Sequence, residues 1–304
     1  MSFLGLSPDL GNLTAEQGFS SLVTRHYAGL MQKGDPRDPL LLQVLPAPEE
    51  SLEVEGFVDD PVGDIRATQV EGVLQKYHGR VLVMPTGACA IHCRHCFRRS
   101  FPYQELKNVG LPGRLAAFLA KSPEVREVIF SGGDPLMLDD ASFGELLAVI
   151  QGAKNVERFR IHTRLPLVLP SRFSAELIQM LGGCGRPCVL VVQANHANEL
   201  SPESAEVFAE LRAQGVHLLN QSVLLRGIND SPEVQAELSL KLFQQGVLPY
   251  YLHQLDRARG TAHFEVPVQK GLEILRGLSA ILPGYLVPKY VQEVPGATGK
   301  TPLA

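Results

Sequence analysis

Three cysteines in one short stretch are the residues of this sequence best suited to bind a metal. Cys89, Cys93 and Cys96 have the spacing C-x3-C-x2-C and follow an apolar run at residues 81–85. Thiolates bind iron–sulfur clusters, and the usual cluster takes four of them. Three thiolates hold three irons of a cubane cluster and leave the fourth iron open to a small chelating ligand. The spacing therefore predicts a cluster that takes part in chemistry.

A structural zinc loop and buried free thiols are the alternatives for these cysteines. A closed zinc site has four ligands, so His92 or His95 would complete the set. No second C-x2-C pair exists to complete a zinc ribbon. Cys184 and Cys188 have no third thiol near them in sequence, and we interpret them as structural. The odd cysteine count argues against a disulfide scaffold and favours a reducing cytoplasm.

A second polar stretch, Ser131, Gly132, Gly133 and Asp134, follows another apolar run. Two glycines let the backbone approach a ligand closely, and a carboxylate accepts hydrogen bonds from an ammonium group. The same residues would also suit a simple strand–helix turn. Because they and the cysteines each follow a predicted strand, we expect both stretches at one edge of a sheet.

Lys300 follows a glycine-rich loop near the end of the sequence. Most lysines are solvated surface groups, which is the simpler interpretation here. A lysine held in a site, however, forms a Schiff base with a carbonyl cofactor such as pyridoxal phosphate. The loop lacks the full spacing of a phosphate-binding P-loop and the helix that follows one.

Alternating strand-like and helix-like segments predict how these residues are positioned. Strands are expected at 81–84, 125–130, 159–161, 189–193, 216–223 and 247–252, with helices near 112–121, 141–151, 174–181, 202–214, 232–245 and 267–280. This alternation predicts an α/β fold with a parallel sheet. Six repeats favour a partial (β/α)6 TIM-like barrel, with a doubly wound sheet as the alternative. In both, the carboxyl ends of the strands carry the chemistry.

The predicted organisation has two parts. Residues 1–75 show no strong periodicity and are interpreted as an N-terminal helical extension, and residues 76–304 form the barrel and a C-terminal segment with Lys300. A net charge of −4 with interspersed signs argues against nucleic-acid and membrane-surface partners. No apolar stretch of ~18 residues and no secretory signal are present, so a cytoplasmic protein is expected.

Several stretches together resemble the lysine 2,3-aminomutase family of radical S-adenosylmethionine enzymes. They are KYHGR at 76–80, CFRR at 96–99, SGGDPL at 131–136, RIHTRLP at 160–166, NQSVLL at 220–225, YYLH at 250–253 and GKTP at 299–302. The resemblance runs from about residue 76 to 302. Within the family it is strongest to the shorter branch that makes β-lysine for elongation factor P.

This resemblance implies three cofactors and the residues that bind them. Cys89, Cys93 and Cys96 would ligate a [4Fe-4S] cluster. Ser131, Gly132, Gly133 and Asp134 would bind S-adenosyl-L-methionine through its amino group. Lys300 would carry pyridoxal 5′-phosphate covalently, and Lys76, Tyr77 and Arg80 would help to hold that cofactor and its phosphate.

The resemblance also implies how an amino-acid substrate is recognised. Arg98 would bind the substrate carboxylate, and Asp256 would hold the distal ammonium of L-lysine. The family has a second aspartate for that ammonium, and this chain has Glu293 in its place. Two acids favour a cationic substrate over glutamate, but the longer side chain of Glu293 is expected to loosen the fit.

The predicted function is an isomerase that converts L-α-lysine to β-lysine by a 1,2-amino shift, with an electron donor for the cluster. The product is expected to serve the modification of elongation factor P. The alternatives are a free-standing lysine 2,3-aminomutase of metabolism and a non-catalytic iron–sulfur protein on the same fold. Longer family members bind zinc through a C-terminal tail that does not follow Lys300 here, so no zinc is expected. A homo-oligomer is left open.

Overall fold

One sheet joins the ten strands of this computed structural model, which describes residues 1–103 and 109–304. The strands are β1 (Thr68–Val70), β2 (Val73–Leu74), β3 (Arg80–Val83), β4 (Glu127–Phe130), β5 (Arg158–Thr163), β6 (Cys188–Val192), β7 (His217–Val223), β8 (Leu248–His253), β9 (Lys289–Gln292) and β10 (Thr301–Pro302). They lie in chain order across the sheet. Strands β3 to β9 are parallel, and β1, β2 and β10 pair antiparallel at the two edges.

Ten α-helices are described, of which the first three precede the sheet and the other seven connect its parallel strands, as the alternating pattern predicts. They are α1 (Leu13–Gly18), α2 (Arg25–Leu30), α3 (Pro39–Leu42), α4 (Leu111–Lys121), α5 (Asp140–Gly152), α6 (Leu165–Val168), α7 (Ala175–Gly182), α8 (Pro202–Ala213), α9 (Pro232–Gln244) and α10 (Val268–Ile281). The predicted partial TIM-like barrel is confirmed, because each strand from β3 to β8 is followed by a helix. Among the described helices, none combines the length and apolar character that a bilayer span needs.

Four of the connecting helices begin at a side chain that caps them. Asp139, Ser174, Ser201 and Ser231 precede α5, α7, α8 and α9, and each accepts a hydrogen bond from a backbone N–H in the first turn. Helices α8 and α9 also have proline at their first positions, where the missing N–H costs nothing. These local signals fix where each helix starts, and therefore where the preceding loop ends.

The main core lies between the sheet and the helices that cover it. Phe130 on β4 packs edge-on against Phe143 of α5, with ring centroids 5.2 Å apart, and against Phe159 of β5 at 6.5 Å. All three rings are fully buried. Burying these apolar side chains stabilises the packing by about 25 cal/mol per Å² of apolar surface. This packing holds the strands in register, with their carboxyl ends at one edge of the sheet.

The N-terminal residues are attached to the barrel by a buried ion pair network. The Glu50 carboxylate accepts hydrogen bonds from Arg94 Nε and Nη2 at 2.8 and 2.6 Å, and from Arg99 Nη2 at 2.6 Å. Arg94 also donates to the Phe19 and Ala15 carbonyl oxygens at 2.5 and 3.1 Å. The two arginines therefore fasten the stretch that follows β3 to the N-terminal helices.

The division at residue 75 stays a prediction. Strand β2, which ends at Leu74, pairs with β3 in the main sheet. Strands β1, β2 and β10 have only two or three residues each, too few for a periodic pattern in the sequence. Strand β9 also lies outside the predicted strands, because it contributes only four residues after α10.

We expect Glu50→Gln to lower the free energy of unfolding by about 3–5 kcal/mol, because the substitution leaves buried guanidinium groups without a counterion. Urea unfolding followed by circular dichroism measures this change. Glu265→Gln is the control, since Glu265 pairs with the exposed Arg257 at 2.7 Å. That control should change stability by no more than about 1 kcal/mol. Equal losses in the two variants would contradict a structural role for Glu50.

Candidate active site

A cavity of about 310 Å³ opens at the carboxyl ends of the parallel strands. Every residue that the sequence analysis proposed for the site lines it: Lys76, Tyr77, Arg80, Cys89, Cys93, Cys96, Arg98, Ser131, Gly132, Gly133, Asp134, Asp256, Glu293 and Lys300. Most of them come from loops that are distant in the chain and meet because the strands are parallel, whereas Lys76, Tyr77 and Arg80 lie at the start of β3. The structure thus brings the predicted site together, while the role of each residue stays a prediction.

The stretch that holds the three cysteines has no helix or strand between residues 84 and 100. Its shape depends on hydrogen bonds to the N-terminal region. The His92 N–H donates to the Leu22 carbonyl oxygen at 2.9 Å, and the Arg94 N–H donates to the Gln43 carbonyl oxygen at 2.8 Å. These hydrogen bonds to the N-terminal residues therefore fix the conformation of the cysteine loop, which we define as residues 86–99.

The thiols of the cysteine loop are available as metal ligands. Cys89, Cys93 and Cys96 are free thiols on the wall of one cavity. Burial raises the pKa of Cys96 to about 11, so cluster binding has to displace its proton.

The two histidines of the zinc alternative have other partners. His92 stacks on Phe19 with ring centroids 5.1 Å apart, and its Nδ1 donates to the Ser20 carbonyl oxygen at 2.6 Å. His95 Nε2 lies 3.3 Å from the Asn195 amide nitrogen. Both side chains are thus used in packing the cysteine loop against its surroundings.

The loop after β4 is interlocked with the cysteine loop. The Gly133 N–H donates to the Thr86 carbonyl oxygen at 3.0 Å, and the Asp134 N–H donates to the Ala88 carbonyl oxygen at 2.7 Å. A Cβ atom at Gly133 would lie 2.5 Å from that Ala88 oxygen, so any side chain here would push the two loops apart. The glycine is therefore needed for the close approach of the loops.

Asp134 is oriented by donors at the end of β5. Its carboxylate accepts hydrogen bonds from Thr163 Oγ1 at 2.8 Å and from the Arg164 N–H at 2.9 Å. Burial raises the pKa of Asp134 to about 6, and these hydrogen bonds act in the opposite direction. The carboxylate is thus held in one orientation at the edge of the cavity.

Asp64 is a site residue that the sequence analysis missed. Its carboxylate accepts from Arg98 Nε and forms an ion pair with Lys76 Nζ, both at 2.6 Å. Burial opposes ionisation, but the two cations lower the pKa of Asp64 to about 2. Arg98 also donates to Ser131 Oγ at 3.0 Å. Asp64 therefore aims the guanidinium predicted to bind a carboxylate, and no motif in its loop indicates this.

Glu293 and Lys300 face each other across an antiparallel hairpin. Glu293 follows β9 and Lys300 precedes β10, and Gln292 lies opposite Thr301. Lys300 Nζ forms an ion pair with Glu293 Oε2. The Tyr77 hydroxyl donates to Glu293 Oε1 at 2.5 Å. Burial opposes ionisation of Glu293, but Lys300 and Tyr77 outweigh it and lower its pKa.

Asp256 lies in the loop that follows β8 and differs from Glu293 in the contacts of its carboxylate. Within residues 1–103 and 109–304, its carboxylate has no hydrogen-bond or ion-pair partner. Burial raises the pKa of Asp256 to about 6, and Lys300 acts in the opposite direction. An arriving cation would restore full ionisation of this carboxylate.

Two buried histidines also line the cavity and were not proposed from the sequence. His162 on β5 and His253 at the end of β8 each have an Nε2 atom without a hydrogen-bond partner among the described residues. Burial lowers the pKa of both far below its usual value, so both imidazoles are neutral. Their only sequence signal is that they lie in the stretches RIHTRLP and YYLH.

Arg164 joins the cysteine loop to the N-terminal region and was also missed. Its Nη1 donates to Cys93 Sγ at 2.7 Å, and its Nη2 donates to the Gln43 side-chain oxygen at 3.2 Å and to the Glu199 carboxylate. A cation beside a thiolate stabilises its charge. Arg164 is thus placed to stabilise the anionic ligand that a cluster needs.

This fold and site define a radical S-adenosylmethionine enzyme. A model of the radical SAM superfamily matches residues 83–236, which include the cysteine loop and the loop after β4. L-Lysine 2,3-aminomutase of Escherichia coli (strain K12) is 43% identical over 97% of this chain and 86% of its own length. The protein of that name from Clostridium subterminale is 38% identical over 92% of this chain and 68% of its own. The chain belongs to the lysine 2,3-aminomutase family, whose members are isomerases.

A solved structure supports the same fold. The radical SAM methyltransferase from Sphaerobacter thermophilus superposes with a TM-score of 0.53 over 75% of this chain and 72% of its own. Its sequence identity is 15%, so the likeness concerns the fold alone.

The family determines which cofactors the site has to accommodate. Radical SAM enzymes use a [4Fe-4S] cluster with S-adenosylmethionine, and lysine 2,3-aminomutases use pyridoxal phosphate in addition. The donor set fits these groups, because three thiols and a lysine amino group line the same cavity. The residues that bind each cofactor stay predictions.

We expect the stabilising effect of Asp64 to disappear in acid. Its folded pKa of about 2 lies below the about 3.9 of an unfolded aspartate, so its contribution is complete above the unfolded value and is lost as pH falls through the folded one. The difference in unfolding free energy between the wild type and Asp64→Asn should be roughly 2 kcal/mol or more near neutral pH. Urea unfolding at a series of pH values measures it. A difference that does not shrink in acid would contradict this assignment.

Proposed function

We propose that the protein converts L-α-lysine to β-lysine by a 1,2-amino shift. The observation that carries the proposal is that the cysteine loop and Lys300 line the same cavity, with Arg98 and Asp256 on its wall. When bound, the cluster and S-adenosylmethionine supply a carbon radical, and pyridoxal phosphate supplies the electron sink for the migrating nitrogen. The chain's own residues bind, aim and shield these groups.

One part of the cavity would hold the cluster and S-adenosylmethionine, which together are the radical source. Cys89, Cys93 and Cys96 would ligate the cluster, and Arg164 beside Cys93 would stabilise thiolate charge. Asp134 and the two glycines before it would bind the amino group of S-adenosylmethionine. The direct hydrogen bonds between these two loops support the proposal, because they keep the cluster and this ligand in register.

Another part of the cavity would hold pyridoxal phosphate. Lys300 would bind it covalently, with Lys76 and Tyr77 beside it. Arg80 lies over the Tyr77 ring at 4.9 Å and has no ion-pair partner in the part of the chain that the structure describes. A free guanidinium next to the cofactor lysine is suited to a phosphate group, which it binds through paired hydrogen bonds.

The lysine substrate would be held at both ends. Arg98 would bind its carboxylate, aimed by Asp64 and Ser131. Asp256 would take the distal ammonium, because it is a carboxylate on the cavity wall without a counterion among the described residues. Glutamate would place a second carboxylate against this acid and is therefore disfavoured. A lysine held at both ends would also fill the cavity and exclude water from a reactive radical.

The use of the product is the finer part of the proposal. The resemblance to the shorter branch of the family favours a supply of β-lysine for elongation factor P, with general lysine metabolism as the alternative. Either use requires an electron donor for the cluster. Either is also compatible with a cytoplasmic protein whose chain divides into an N-terminal extension, 1–75, and a barrel domain, 76–304. Mass spectrometry of elongation factor P from cells with and without this protein separates the two, since only the first predicts loss of a β-lysyl group.

Anaerobic reconstitution tests the central activity. The protein is loaded with iron, sulfide and pyridoxal phosphate, and is incubated with a reductant, S-adenosylmethionine and lysine. We expect β-lysine by mass spectrometry, and little competition from glutamate, because its second carboxylate would lie against Asp256; arginine is tested as the cationic competitor. Absence of β-lysine with the cluster and the bound pyridoxal phosphate both confirmed would contradict the proposal.

Lys300→Ala should separate the two cofactors. We expect this variant to lose the absorbance of covalently bound pyridoxal phosphate and all β-lysine formation, since Lys300 is the proposed attachment site of the cofactor. The absorbance and iron content of the cluster should be unchanged, because Lys300 is not one of the proposed cluster ligands. Lys270→Ala on α10 is a control at an exposed lysine that pairs only with Glu273. Covalent cofactor in Lys300→Ala at the wild-type level would exclude Lys300 as its attachment site.

A further inference from the structure

The two acids predicted to hold the distal ammonium of the substrate differ in whether they are free to do so. Asp256 has no hydrogen-bond or ion-pair partner among the described residues. Glu293 is already in contact with Lys300 Nζ and the Tyr77 hydroxyl, and Lys76 Nζ lies 3.6 Å from it. The Glu293 side chain is 5% exposed. A second ammonium would have to displace one of these donors.

We propose that Glu293 is a positioning residue for Lys300, and that Asp256 alone selects the distal ammonium of the substrate. Glu293 holds the Lys300 ammonium whenever this lysine is not attached to pyridoxal phosphate. The inference rests on the proposed function, in which Lys300 carries that cofactor. It assigns to Glu293 a different task from the one expected from its position in the sequence.

The exchange of amines on the cofactor is the step in which this contact matters. The α-nitrogen of an arriving amino acid would form a bond to the cofactor carbon that carries Lys300, and the bond from that carbon to Lys300 Nζ would break. With the imine nitrogen protonated before and after, the amino acid's ammonium would lose two protons and Lys300 Nζ would gain two and leave as an ammonium, so charge is conserved and no electrons are transferred. The Lys300 side chain is 30% exposed, whereas that of Glu293 is 5% exposed. A buried carboxylate without a counterion is costly, so the contact between Glu293 and the released ammonium favours the exchange.

The hairpin explains why a glutamate suits this position. Strands β9 and β10 pair antiparallel, so Glu293 and Lys300 leave the ladder side by side. Glutamate has one methylene more than aspartate, and with it the carboxylate reaches both Lys300 and Tyr77. A shorter acid would leave one of these donors without its partner.

Other charged and titratable groups near Lys300 do not replace Glu293. Asp256 influences Lys300 through space but forms no ion pair with it, and the buried imidazoles of His162 and His253 are neutral. Lys76 and Arg80 carry the same charge as Lys300. Within the described residues, Glu293 is thus the one acid in contact with the Lys300 amino group.

Displacement of Lys300 by two amino acids tests the assignment without radical chemistry. Protein loaded with pyridoxal phosphate is titrated with lysine or with norleucine, which lacks the distal ammonium, in the absence of S-adenosylmethionine and reductant. Borohydride then traps the cofactor, and mass spectrometry measures how much is attached to Lys300 and how much to the amino acid. The readout is the concentration of each amino acid that displaces half of the cofactor.

Glu293→Gln should raise this concentration for both amino acids by the same factor, roughly tenfold or more, the scale of one charge-assisted hydrogen bond. Glu293→Asp keeps the charge and should recover part of the loss. Asp256→Asn is the matched variant and should raise the concentration for lysine while leaving norleucine unchanged. These three results together would support the assignment.

The assignment is overturned if Glu293→Gln impairs displacement by lysine but not by norleucine, because Glu293 would then bind the distal ammonium. It is also overturned if neither amino acid is affected. If the wild type shows no borohydride-trapped adduct on Lys300, the proposed function itself fails, and the assignment fails with it. The wild-type measurement therefore distinguishes the two failures.

Discussion

The site depends on the pairing of buried charges from loops that have no regular structure of their own. Asp64 neutralises Arg98 and Lys76, and Glu293 neutralises Lys300. A buried charge without a partner is costly, so each pair fixes the relative position of two distant stretches of chain. Glu50 does the same for the cysteine loop through Arg94. Cofactors and substrate would therefore enter a cavity whose cations are already aimed.

The parallel sheet is what allows these pairs to form. Its strands end at one edge, and their loops meet there with a radical source expected on one side and the cofactor lysine on the other. The cysteine loop closes on the loop after β4 through backbone hydrogen bonds that leave no room for a side chain at Gly133. The hairpin of β9 and β10 completes the opposite side with Glu293 and Lys300. The strands thus hold loops that contact one another through hydrogen bonds and ion pairs.

Sequence patterns predicted the features that recur or that have a fixed spacing. Periodicity gave the six strand–helix repeats, and the spacing of Cys89, Cys93 and Cys96 indicated the cluster. Asp64 and Glu50 could not be predicted, because their partners lie far along the chain and their own region has no periodic pattern. Strand β10 is too short to leave a signal. The pairing of Glu293 with Lys300 follows from that hairpin, so it too became visible only in the structure.

The account requires that the radical source acts directly on a lysine held in the same cavity. Lysine with deuterium on its β-carbon tests this requirement. The protein with all three cofactors is incubated anaerobically with this substrate, and the 5′-deoxyadenosine formed is examined by mass spectrometry. The account predicts deuterium in 5′-deoxyadenosine, at a level that rises with turnover. Cleavage of S-adenosylmethionine without transfer of deuterium, while β-lysine is formed, would contradict it.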